Sequence, residues 1–398
     1  MEDPMPYRIL TLDGGGAWAL IEVKALIAMY GEATLGHDVL RKFDMVGANS
    51  GGSIVLGGLV ENVSLGQLLG YFNDRANREL IFSPTKSWGD EALRATLQVG
   101  PKYSAAAKLP AFETLLKRTG NLPLAGIAAA IPGASGDPVR LFIVGFDYDY
   151  NRATMFRSQT PQGPCLGVAN SGTITLAEAI HASTNAPINY FDAPATFPEH
   201  TERYWDGGIS GFNNPVLAAV TEAITIGVAP RAIAALSLGT GAVRLPPAAQ
   251  GDPASAFTAP WAASTLLSDL KKLASSILDD PPDSASMIAH VVTSGPGIPA
   301  PAVSRVVRMN PLMAPVPAAG GGWQAPGGMT AAQFQYLCGI DMDAVQPAEI
   351  AAIESYAQLW LDDKAPNQPV HWDGKDPATV FGPTRFSAAL AAWRALAD

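Results

Sequence analysis

Charge and cysteine are both scarce in this 398-residue chain, and each scarcity excludes a class of protein. Charged residues make up 16% of it, against about 25% in an average soluble chain. With 48% hydrophobic residues, the sequence is neither a disordered segment nor a highly charged scaffold. Basic residues are the scarcer sign: 26 Lys and Arg face 36 Asp and Glu, for a net charge of −10. Such a chain repels a phosphate backbone and has little counterion release to gain, so no nucleic-acid partner is expected. The densest basic spots, Lys117-Arg118 and Lys271-Lys272, are isolated pairs, too sparse for strong attraction to anionic lipid. Any contact with a membrane or micelle surface is therefore expected to be transient and apolar or zwitterionic.

Two cysteines, Cys165 and Cys338, have no C-x-x-C spacing, which argues against a zinc site or a disulfide framework and for two reduced core thiols. Residues 1–6 lack the basic and apolar regions of a signal peptide. No stretch reaches the ~18 apolar residues of a membrane span; the best, residues 216–238, is interrupted by Glu222 and Arg231. The expectation is a cytoplasmic protein, peripheral at most to a membrane. Glycine and proline, by contrast, are plentiful, at 39 and 33 residues.

Residues 7–12 form a short apolar, β-branched run that stops at Asp13 and three glycines, after which apolar residues recur at helical spacing over 18–29. The same grammar returns at 43–48, followed by Asn49-Ser50-Gly51-Gly52 and an apolar helical stretch over 54–60. Two strand-turn-helix units predict an α/β fold: three layers, a mostly parallel central sheet with helices on both faces, and ligand-binding turns at its carboxyl edge. Further helices are expected at 64–80, 105–117 and 176–183, and strands at 139–148, 153–156, 204–205 and 232–238. Composition shifts near residue 242, so residues 7–241 read as the core and 242–398 as a helical, loop-rich C-terminal part packed on the same domain, with helices over 261–278, 347–361 and 387–396. The stretches 124–136 and 245–260 read as surface loops, with lids over a site as the alternative.

Two turns carry chemistry. In Asp13-Gly14-Gly15-Gly16, glycine lets successive backbone N–H groups converge on one point at a helix N-terminus, a cradle for a phosphate or for the oxyanion of acyl transfer. Gly14-x-Gly16-x-x-Ala19 also fits a dinucleotide fingerprint, but Glu32 and Asp38 sit in a helix end or turn rather than at the end of a second strand. In Ala48-Asn49-Ser50-Gly51-Gly52, a serine at a sharp strand-to-helix turn needs small neighbours two residues either side, and Ala48 and Gly52 supply them. Counting from Gly47 would instead place Asn49, which is no nucleophile, at the apex. Of the five histidines, His290 and His371 have the right chain order for a triad base but lie in no Gly-bounded loop after a strand. Trp205-Asp206-Gly207-Gly208 does follow a strand, and its glycines let the Asp206 carboxylate approach another backbone.

Taken together, these motifs resemble the patatin-like phospholipases: a strand into Asp-Gly-Gly-Gly, a Phe-Asp strand into a serine elbow, Asp-Gly-Gly, and Asn213-Asn214-Pro215. Ala182-Ser183-Thr184-Asn185-Ala186-Pro187 with Tyr190-Phe191, and Leu236-Ser237-Leu238-Gly239-Thr240-Gly241, support the match over residues 7–241. The resemblance implies a lipid acyl hydrolase that needs no metal or other cofactor. Ser50 would be the nucleophile, Asp206 its base, and the N–H groups of Gly14, Gly15 and Gly16 the oxyanion hole, on a lipid or other acyl ester substrate. Departures are Trp18 where the family usually has Arg or Lys, Ala48 for the first elbow glycine, and His181 where Arg is common, read as structural or as orienting Asp206. A catalytically weak patatin fold that only binds lipid, and a nucleotide-binding enzyme, remain the alternatives.

Overall fold

The computed structural model describes residues 5–84, 100–160, 166–167, 173–294, 304–372 and 380–397; Cys165 lies outside them. In chain order the strands are β1 (Tyr7–Leu12), β2 (Met45–Asn49), β3 (Arg140–Asp147), β4 (Arg152–Arg157), β5 (Tyr204–Asp206), β6 (Ile233–Leu238), β7 (Ala242–Val243), β8 (Val306–Met309), β9 (Leu312–Met313), β10 (Val316–Pro317) and β11 (Trp323–Gln324). The helices are α1 (Leu20–Tyr30), α2 (Gly36–Leu40), α3 (Ser50–Val60), α4 (Leu65–Asn73), α5 (Arg75–Ile81), α6 (Lys108–Leu115), α7 (Leu124–Ala129) and α8 (Leu176–Ser183). They continue as α9 (Val216–Thr225), α10 (Leu266–Ser294), α11 (Ala331–Cys338), α12 (Pro347–Leu361) and α13 (Phe386–Ala397).

The central sheet runs β4-β3-β2-β1-β6-β8, parallel from β3 to β8, with β4 and β5 both antiparallel to β3. Its strands are apolar on both faces, as a sheet covered on both sides requires. Leu10, Leu12, Val46, Ile143 and Leu236 point into one core, packed with α1 and α3. Ile9, Met45, Val144 and Ala235 point into the other, under α9 and Ala285 and Ala289 of α10. The mostly parallel, helix-covered sheet is the architecture the sequence predicts.

Several boundaries differ, each for a physical reason. The helix expected at 64–80 is split at Asp74, whose carboxylate accepts the Ala76 N–H at 2.9 Å and so starts a second helix. The helix expected at 261–278 instead begins at Leu266 and runs through Pro281 and Pro282 to Ser294, because its second half buries Ala285 and Ala289 on the sheet. Beyond residue 242, β8 extends the sheet beside β6. Its Val-Val-Arg-Met is too short to show a period, and all four residues are buried. Residues 124–136 are no lid: α7 buries Leu124 and Ile127, and Ala134 N–H donates to the Phe43 carbonyl before β2, at the edge opposite Ser50. Residues 245–260 form an irregular loop closed by a bridge between Pro247 and Ala259. Cys338, the cysteine within the described residues, is a half-buried free thiol that burial pushes up to about 11. Among the described residues, no helix is long and apolar enough to cross a membrane.

Candidate active site

Ser50 sits where β2 turns into α3, with φ at 46°. A non-glycine residue held there is strained, and the surroundings explain what holds it. Its N–H donates to Ser183 Oγ at 2.8 Å, and its carbonyl accepts from Ser53 Oγ at 2.6 Å. Only glycine fits on the next two positions: a Cβ at Gly51 would lie 2.6 Å from the Gly16 carbonyl oxygen, and one at Gly52 2.5 Å from that of Leu12. Ala48 is fully buried two residues before the turn. Asn49 is the last residue of the strand rather than the apex.

Asp206 reaches Ser50 through the register of β3. Two consecutive β3 residues, Val144 and Gly145, pair with Asn49 and Asp206. β5 therefore continues the line of β2, and Asp206 arrives beside the turn. There it accepts hydrogen bonds from Gly208 N–H at 2.8 Å and from Asn49 Nδ2 at 3.2 Å, with the Ser50 side chain close enough to stabilise its charged form. Gly207 is needed for that approach, since a Cβ would sit 2.6 Å from Asn49 Oδ1 and 2.5 Å from Val144 Cγ1. Burial raises the Asp206 pKa above the usual carboxylate value, opposed by Ser50, Gly208 and Asn49 and by the charge of Lys108.

The glycine loop lies across from Ser50. Asp13 at its start is buried against Arg308 of β8, and its N–H donates to Glu22 Oε1 at 2.6 Å. Gly14 N–H donates to the Asn213 carbonyl at 2.8 Å, while its own carbonyl accepts from Thr240 Oγ1 at 2.6 Å. The Gly14 amide is thus engaged, whereas those of Gly15 and Gly16 have no acceptor among the described residues. Gly16 has φ 58°, and a Cβ there would meet the Met342 carbonyl oxygen at 2.2 Å. The Asn-Asn-Pro and Leu-Ser-Leu-Gly-Thr-Gly motifs serve this loop. Asn213 holds Gly14, Thr240 backs it, and Ser237 links Arg308 to Asn214 at 2.8 and 3.2 Å.

The histidines stay apart from Ser50. His290 Nδ1 bonds Ser304 Oγ at 2.8 Å, and His371 lies 3.3 Å from Asp283. His181 is buried, no hydrogen bond joins it to Asp206, and burial together with the Lys108 charge keeps its pKa well below the usual value. Trp18 is a core residue whose Nε1 donates to the Asp341 carbonyl at 3.3 Å. No group of His, Cys, Asp or Glu suited to a metal ion occurs among the described residues.

Ser50 opens into a cavity of about 320 Å³ lined by Gly51, Thr184, Ala186, Tyr190 and Met342. This adjoins an almost wholly apolar cavity of about 590 Å³ between Phe72, Phe112, Leu115, Leu116 and Ile180, with Gly16, Ile54, Ile81 and Phe82 common to both. Residues 341–343 lie beside the smaller cavity, Met342 among its lining. Met342 accepts from Ala17 N–H at 2.9 Å, Asp343 from Lys102 at 2.8 Å and Tyr103 at 2.6 Å, and Asp341 from Tyr190 at 2.6 Å. Sequence reasoning missed Arg308, Lys108, Ser183 Oγ as the anchor of Ser50, and Met342. A lone arginine inside an apolar strand was the one available signal.

Among solved structures, VipD of Legionella pneumophila aligns at 11% identity and a TM-score of 0.35, over 89% of this chain and 67% of that one. The type III effector ExoU aligns at 13% identity and 0.30, over 89% and 54%. ExoU of Pseudomonas aeruginosa in complex with SpcU aligns at 16% and 0.24, over 45% and 38%. This chain thus spans about half to two thirds of the length of VipD and of ExoU alone. No curated protein matches it. The model of the patatin-like phospholipase family matches residues 10–220, a span that holds the glycine loop, the Ser50 turn and Asp206; the chain belongs to the patatin-like phospholipase family.

Proposed function

We propose that the protein is a serine lipid acyl hydrolase working by a Ser50–Asp206 dyad through an acyl-enzyme. The observation that carries this is the Ser50 side chain set beside a buried Asp206 carboxylate that Asn49 and Gly208 hold in place, with Ser50 lining a cavity. Membership of a phospholipase family supports the lipid class of substrate.

The Ser50 oxygen attacks the ester carbonyl carbon while its proton passes to Asp206. Negative charge then develops on the carbonyl oxygen, and the N–H groups of Gly15 and Gly16 are the donors that meet it. Gly14 drops out of the expected trio because its N–H is already bonded. One such donor is worth about 3–4 kcal/mol in the transition state. Asp206 returns the proton to the departing alkoxide, then takes one from water as that water attacks the acyl-enzyme, releasing a fatty acid and regenerating Ser50. Desolvation strengthens Asp206 as a base, and its bonds to Asn49 and Gly208 keep it aimed at Ser50. The smaller cavity lies against the Ser50 turn, and the larger, which adjoins it, suits a fatty acyl chain, being almost wholly apolar. Trp18 and the net charge of −10 leave the acyl chain, rather than an anionic head group, as the main source of binding.

A fluorophosphonate probe and a lipid panel scored by released fatty acid test this. Wild type should label at Ser50 and release fatty acid; Ser50→Ala should do neither, and Asp206→Asn should lose about 10³-fold or more in kcat. Labelling that persists in Ser50→Ala would refute the nucleophile, and a lipid-binding protein that never labels would be a binding module.

A further inference from the structure

Lys108, the first residue of α6, is fully buried, and no carboxylate lies within ion-pair distance of it among the described residues. Its Nζ donates to Asn185 Oδ1 at 3.1 Å and stands 3.6 Å above the Phe191 ring. An ammonium so placed costs several kcal/mol unless a counter-charge is near. Burial pulls its pKa well below the usual lysine value, and among the described residues the acidic group that opposes this is Asp206, itself buried and without a direct cationic partner. Asn185 ties the two together: its side-chain oxygen accepts from Lys108, and its backbone carbonyl accepts the Asp206 N–H at 3.0 Å. Its Nδ2 is anchored on the Ala193 carbonyl at 2.8 Å, so the side chain cannot turn away.

We propose that Lys108 is a positioning residue of this site, its buried ammonium being the counter-charge that holds Asp206 as a carboxylate until Ser50 gives up its proton. This rests on the dyad reading above. The groups facing Asp206 are few. Asn49 and Ser50 come from the β2–α3 turn, Gly208 N–H from its own turn and Lys108 from α6; β3 presents the uncharged Val144 and Gly145. His181 of α8 faces Lys108 and stays neutral through burial. Among the described residues Lys108 is thus the cationic group acting on the base, and the Asp206 carboxylate in turn is what favours its charged form against burial. During the reaction, negative charge leaves Asp206 for the substrate oxygen nearby, so the ammonium keeps a counter-charge throughout. A positive charge favours the deprotonated carboxylate, so removing Lys108 must shift the loss of activity in acid toward higher pH.

The experiment measures kcat/KM against pH, with fluorophosphonate labelling rate as a second readout, for wild type, Ser50→Ala, Lys108→Met and Lys108→Gln. Both lysine variants should move the acid limb up by about one pH unit, losing about tenfold in acid and less than about threefold on the alkaline plateau. Their unfolding midpoints should not fall much, because replacing a buried charge by a neutral chain of like volume is often neutral or stabilising. Lys108→Gln keeps a donor for Asn185 and covers the case in which the Met variant does not fold. A profile that falls equally at every pH, or one that Lys108→Gln restores to wild type, would overturn the proposal in favour of a structural role. Failure of the dyad shows differently: wild type would then be no more active than Ser50→Ala.

Discussion

Arg308→Met tests the electrostatics that hold the glycine loop in place. Arg308 and Asp13 pair with about 3% of each side chain exposed, and Glu22 beside them is fully buried. Burial pushes Asp13 up from 3.8 to about 6 despite the pull of Arg308, and burial followed by the Asp13 charge holds Glu22 well above its usual value. A rise of that size corresponds to about 3 kcal/mol between the two protonation states. Asp13 binds its proton more tightly when folded, so its contribution to stability is fully present below about pH 4 and is lost as pH rises through about 6. Without Arg308 that loss deepens and extends to higher pH. Breaking one side of a buried pair costs about 3–5 kcal/mol, so urea unfolding of Arg308→Met should show a loss of that order at pH 8. At pH 4.5, where Asp13 is neutral in the variant, the loss should shrink to about 1 kcal/mol, that of an ordinary hydrogen bond. Adding Asp13→Asn should recover part of the pH 8 loss, since no unpaired charge then remains. A loss below about 1 kcal/mol at pH 8, or one independent of pH, would refute the reasoning.

Two further predictions concern the Ser50 turn and the cavity. Ser50→Gly should be inactive yet more stable than Ser50→Ala by about 1 kcal/mol in urea unfolding, because glycine relieves the left-handed backbone while alanine keeps the strain; equal stabilities would mean the turn stores none. Ile54 lines both cavities one turn beyond Ser50, so Ile54→Trp should cut kcat/KM for long-chain esters by about tenfold or more while short-chain esters change by less than about threefold. A uniform loss across chain lengths would place the acyl chain elsewhere.

The parts of this protein legible in its sequence are those whose requirements are written in consecutive residues. A backbone that must turn sharply, or pass close to another chain, demands glycine or alanine at set offsets. Asp13–Gly16, Ala48–Gly52 and Asp206–Gly208 could therefore be found by reading along the chain, and apolar runs around them announced the parallel sheet. The strand at Val306–Met309 escaped because four buried residues carry no period, and the helix through Pro281 and Pro282 escaped because packing on the sheet outweighs local propensity there.

Sequence alone determined the order of the turns, the small residues that let Ser50 and Asp206 approach other backbones, and the family they belong to. Tertiary structure decided what those turns meet. The hydrogen bond from Asn49 to Asp206 spans 157 residues and depends on β3 offering Val144 and Gly145 to two different strands. Neither the engagement of the Gly14 amide, nor the buried charge of Lys108, nor the apolar cavity beside Ser50 leaves a local trace. Each is made by segments that become neighbours only when the sheet closes and water is excluded between them.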